Sequence, residues 1–154
     1  MRRWAAAASA ALLVPALAGV WLWQGPQRQT RDVPVPPDSA TAEQVVQAYV
    51  DAVNAHDRST VHALLATDGS MTDRAVDAWR AMRNVRLLGT SIRTLADPAG
   101  PRYAEGVNVG VDFDLDCRWG HGDVSQPSGP TAWGYVLGRN TPDDPWRIVD
   151  QGAG

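Results

Sequence analysis

Between Val107 and Trp119 every second residue is apolar: Val107, Val109, Val111, Phe113, Leu115, Cys117 and Trp119 alternate with Asn108, Gly110, Asp112, Asp114, Asp116 and Arg118. A period of two over this length predicts a strand with one buried face and one wet face. The strand is long enough to bend or bulge, and Gly110 is the expected place. Upstream the period is 3.6. Val45, Val46, Tyr49, Val50 and Val53 predict an amphipathic helix over 42–55, opened by the capping box Thr41-Ala42-Glu43-Gln44. His56-Asp57 breaks it, and Asp57 or Ser59 then caps a short second helix carrying Val61, Leu64 and Leu65. After a turn at Thr67–Ser70, Thr72 caps a third helix with Val76, Trp79 and Met82 on one side and Asn84 at its end. Strands are predicted over Val85–Leu95, around Trp133, Tyr135 and Leu137, and over Trp146–Asp150, with Gly120–Pro130 as a loop. Three helices followed by a meander of strands predict an α+β fold, the helices on one face of a strongly curved antiparallel sheet.

Ahead of this unit, Arg2 and Arg3 precede an uncharged apolar run from Trp4 to Trp23. Twenty helical residues rise about 30 Å, the thickness of the hydrocarbon core. Two readings stay open. In one, the run is an uncleaved signal anchor with Trp21 and Trp23 in the interfacial belt. In the other, it is a signal peptide cut near Ala16-Leu17-Ala18. Both place the domain outside the cell membrane, either single-pass or secreted. Gln24 to Ala40 holds Pro26, Pro34, Pro36 and Pro37 and reads as an extended spacer. The expected organisation is therefore an anchor or signal at 1–23, a Pro-rich linker at 24–40, and a folded domain at 41–152.

Charge narrows the function classes. The chain carries a net charge of −3, but residues 33–154 hold 10 arginines against 16 acids, a net of −6. Phosphate would be repelled, so nucleic-acid binding is disfavoured. The single cysteine, Cys117, allows no intramolecular disulfide and offers no cysteine zinc site.

Tyr49, Ala52, Asn54, His56 and Asp57, followed by Leu64 and Leu65, resemble the opening helices of the nuclear transport factor 2-like superfamily. Pro145-Trp146-Arg147-Ile148-Val149 is similar to its last strand. The resemblance covers 41–152 and lies nearest to uncharacterised exported members from GC-rich bacteria. It implies a cystatin-like cone with a pocket between helices and sheet, lined here by Tyr49, Trp79, Phe113, Trp133 and Tyr135. Isomerases and polyketide cyclases of that superfamily use a pocket carboxylate as base and a hydroxyl as oxyanion donor. Here Tyr135 could be the donor, but the inward phase of the long strand offers no base.

Asp112, Asp114 and Asp116 share one strand face and form a candidate partner-binding stripe. They have a faint calcium-loop spacing, but a calcium loop needs glycine at its sixth position, which here is Cys117. No catalytic residue, metal site or cofactor is expected. The residues predict a non-catalytic, membrane-tethered extracytoplasmic adaptor or binding domain, with a protein partner or a second copy of the chain. The alternative is a small-ligand-binding or isomerase- or cyclase-like enzyme using the pocket.

Overall fold

The computed structural model describes residues 28–67, 82–96, 102–117 and 128–152. Helix α1 spans Ala42–Ala55. Its capping box is formed in full: the Gln44 N–H donates to Thr41 Oγ1 at 3.3 Å and the Thr41 N–H donates to Gln44 Oε1 at 2.9 Å. The apolar stripe of the sequence is the buried face, with Val45, Val46, Tyr49, Val50 and Val53 in the core. The helix stops at His56, which adopts a left-handed φ of 56°. The Asp57 N–H then reaches back to the Ala52 carbonyl at 2.9 Å, closing the last turn as a glycine-type cap would. Asp57 caps the next helix, α2, over Arg58–Leu64, accepting from the Thr60 N–H.

Four strands follow: β1 (Met82–Thr94), β2 (Glu105–Cys117), β3 (Gly129–Arg139) and β4 (Arg147–Gly152). They form one antiparallel sheet in the order β1-β2-β3-β4. Each strand pairs with the next in sequence, so the sheet is a meander. Val107, Val109 and Val111 of β2 are buried, whereas Asp112 next to Val111 is exposed. In the facing phase of β3, Tyr135 and Leu137 are buried and Trp133 packs half-buried against the core. The β4 edge is covered by the chain leaving α2: Leu65 makes a parallel bridge to Ile148, and the Ala66 N–H donates to the Ile148 carbonyl at 2.9 Å. Leu64, Leu137, Ile148, Val46 and Val109 are fully buried, each contributing on the order of 1.5–3 kcal/mol by leaving water.

The expected three-helix cone is corrected. Two helices, not three, stand among the described residues, and no N-terminal apolar helix is among them. Most of the third predicted helix, and the whole 1–23 run, lie outside the described residues. The end of that helix, Met82–Asn84, is strand. The reason is visible in β1, where Met82 pairs with Cys117 and Arg83 with Asp116, extending the β2 ladder to its end.

The expected bulge at Gly110 is also displaced. Gly110 keeps regular register with Ser91 and Gly134, and the irregularities fall on β1, between Arg83 and Arg86 and between Leu87 and Gly89. A Cβ at Gly110 would lie 2.7 Å from Ser91 Oγ, so the Ser91 hydroxyl turned toward Gly110 would have to swing aside, whereas the Ser91 carbonyl stands at an ordinary 3.8 Å. Among the described residues no helix is long and apolar enough to cross a membrane.

Candidate functional site

Among the described side chains of the five residues proposed to line a pocket, Tyr49 and Tyr135 meet. Tyr49 on α1 and Tyr135 on β3 pack edge-to-face with ring centroids 5.4 Å apart and planes at 63°. Helical phase puts Tyr49 inward beside Val45 and Val46, and strand phase puts Tyr135 inward beside Leu137. Burial raises the pKa of both phenols far above the ordinary tyrosine value, and the adjacent Tyr49 raises that of Tyr135 further. Both therefore stay neutral at any physiological pH and can act only as hydroxyls, never as phenolate bases. Trp133 lies on the same strand two residues before Tyr135 and is half-buried. Phe113 belongs to the β2 ladder, opposite Leu87 on one side and Thr131 on the other. Trp79 lies outside the described residues.

The aspartate stripe is not a bare row of acids. Asp112 is exposed, with Gly89 and Ala132 as its register neighbours. Asp114 is bound: Arg86, its register partner on β1, donates from Nη2 to Asp114 Oδ2 at 3.2 Å. Both side chains are well exposed, so the pair contributes less than about 1 kcal/mol. Asp116 stands opposite Arg83 in the register. The sequence shows the acids and the arginines, but the pairing between them depends on the two bulges in β1. Among the described residues, no three histidine, cysteine, aspartate or glutamate side chains come together as a metal-ligating group.

Asp57, which the sequence marks as a helix breaker and cap, gathers several hydrogen bonds. Asp57 is 2% exposed. Its Oδ1 accepts from Ser59 Oγ at 2.6 Å and from the Thr60 N–H at 3.2 Å, and its Oδ2 accepts from the Val33 N–H at 2.9 Å. Thr60 Oγ1 is also 3.1 Å from Oδ2, but its one proton serves the shorter contact, to the Val33 carbonyl at 2.6 Å. The Ser59 hydroxyl and the Val33 N–H lead in holding the carboxyl well below the usual carboxylate range, outweighing the cost of its burial. Asn54 entered the sequence reading only as one of the residues carrying the resemblance. Its Oδ1 accepts from the Val85 N–H at 2.7 Å and its Nδ2 donates to the Val85 carbonyl at 2.6 Å, so a side chain stands in for a strand at the bulged edge of β1.

Compared with known proteins, the chain matches no protein-family model, no curated protein and no solved structure.

Proposed function

We propose that this protein is a non-catalytic binding domain displayed outside the cell membrane on its N-terminal segment, acting as an adaptor for a protein partner. The observation that carries the non-catalytic reading is the employment of Asp57. A general base must be free to take a proton. Asp57, the buried carboxylate of the described core, is instead saturated by the Val33, Ser59 and Thr60 donors and resists protonation. The tyrosine pair supports the same reading, since two neutral rings in edge contact fill space in the manner of a core. The display reading rests on Arg2, Arg3 and the Trp4–Trp23 run. The resemblance of Tyr49–Asp57 to nuclear transport factor 2-like proteins is retained as part of this proposal, on those residues alone.

The outer sheet face is the surface we assign to a partner. It carries exposed Asp112 beside the Arg86–Asp114 pair, and exposed Ala132 on the adjoining strand. A second reading, a small-ligand or isomerase-like pocket, would place the Tyr49 and Tyr135 hydroxyls, paired across helix and sheet, as oxyanion donors. Cross-linked capture from membranes separates the two. Serine at 112, 114 and 116 should lower capture of a partner several-fold while Tyr135→Phe leaves it unchanged. Loss of capture in Tyr135→Phe alone, or turnover of a cyclic ketone by the purified protein, would overturn the adaptor reading.

A further inference from the structure

The proline-rich stretch before α1 is expected from its composition to be free spacer, yet Thr30 and Val33 are held against the domain. The Thr30 N–H donates to the Ala55 carbonyl at 2.8 Å, and its hydroxyl reaches the same oxygen at 3.2 Å. Val33 is held through both of its backbone groups, by Asp57 on the N–H and by Thr60 on the carbonyl, and its side chain is only 6% exposed within the core. Two residues further on, Val35 is 49% exposed. The attachment is therefore confined to Thr30–Val33 until the chain re-enters the core at Ala40, and is not a general collapse of the stretch onto the domain.

An aspartate that caps a helix needs one backbone N–H. Here the second oxygen is committed to a residue 24 positions earlier in the chain. Both bonds to the Val33 backbone come from side chains, so this contact can open without unpairing any strand of the sheet. Once open, the Val33 N–H and carbonyl are solvated by water, and the Asp57–Thr60 cap can persist.

We propose that Thr30–Val33 is a latch, closed by Asp57 and Thr60, that sets how far the domain stands from the membrane. This rests on the tethered reading above. With the latch closed, only the six residues Gln24–Gln29 separate Trp23 from the domain, a span of at most about 20 Å. The corner between α1 and α2 is then held toward the bilayer. With the latch open, Gln24–Ser39 is tether and reaches about 50 Å at polyproline rise. One buried carboxylate thus selects between a membrane-hugging and an extended reach, and with it the height at which a partner is met.

The test uses the full-length protein in lipid nanodiscs, as wild type and as Val33→Asp. The substitution sets a second carboxylate against Asp57 but leaves the Asp57–Thr60 cap in place, and an undocked strap can hydrate it. Amide exchange at Val33 and tryptic cleavage after Arg31 report the latch. Energy transfer from a dye at Asn140→Cys, with Cys117→Ala, to a dye in the bilayer reports the reach. In wild type the Val33 amide should exchange about 10–100-fold more slowly than in free peptide, the range of one hydrogen bond to a charged acceptor. Val33→Asp should lose that protection, be cut faster after Arg31, and move the dye away from the bilayer. An unprotected Val33 amide in wild type, or one equally protected in Val33→Asp, would overturn the latch. Lost protection with an unchanged dye distance would overturn its role in reach. Wild type that fails to enter the bilayer would defeat the tethered reading, while exchange still judges the latch.

Discussion

Replacing Asp57 by asparagine keeps the shape of the side chain and removes its charge and one acceptor oxygen. The Asn amide must then face either the Val33 N–H or the Thr60 N–H, donor against donor. A hydrogen bond to a charged acceptor contributes about 1.5–3 kcal/mol, and a buried donor left without a partner costs about 1–3 kcal/mol. The strap can limit the second term by undocking, at the expense of re-exposing the Val33 side chain. The expected loss is about 2–4 kcal/mol, a large share of the roughly 5–15 kcal/mol that holds a domain together. Urea melts at pH 7 measure it.

The pH dependence has a definite sign. The folded Asp57 pKa lies below its unfolded value of about 3.9, so its stabilisation is complete above that value and fades as pH falls through it. Between pH 7 and pH 3 the gap between wild type and Asp57→Asn should therefore narrow by about 1 kcal/mol. A variant within about 0.5 kcal/mol of wild type at pH 7 would contradict the reasoning. So would a gap that stays constant as the solution is acidified.

Two further substitutions probe the sheet. Asn54→Ala removes both bonds to Val85 and should cost about 2–3 kcal/mol in a thermal or urea melt, and Asn54→Asp, which can keep only the bond from the Val85 N–H, should also destabilise. Gly138→Ala would set a Cβ 2.6 Å from Cγ of Tyr103 and should cost about 1–3 kcal/mol, much of it recovered when Tyr103→Ala is added in a double-mutant cycle.

The parts of the fold that repeat along the chain were legible. Five apolar residues at helical spacing and a reciprocal cap define α1, and alternation over many residues sets the buried phase of β2. The parts made by one residue meeting another far away were not. Val33 sits alone among prolines, without periodicity, and its burial depends on a carboxylate 24 residues later. Asn54 reads as an ordinary polar helix end, and nothing in its surroundings announces a bond to a strand 31 residues away. Gly110 invites a bulge because glycine tolerates one, yet it keeps regular register opposite Ser91 and Gly134, and the irregularities fall on β1. Met82, expected at the end of a helix, belongs to β1 because the ladder with β2 outweighs local helical preference. At the candidate site, phase brought Tyr49 and Tyr135 inward, whereas the Arg86–Asp114 pair required knowledge of the β1 register.

The measurement that tests the central claim most directly is exposure of the domain on intact cells. Cells producing the full-length chain with a C-terminal tag are treated with a protease that cannot cross the membrane, and the tag is followed in the membrane and soluble fractions. The account predicts that the tag sediments with membranes before treatment and is lost from intact cells on treatment, while a cytosolic control protein survives. A tag recovered in the cytosol, or protected until the cells are lysed, would contradict it.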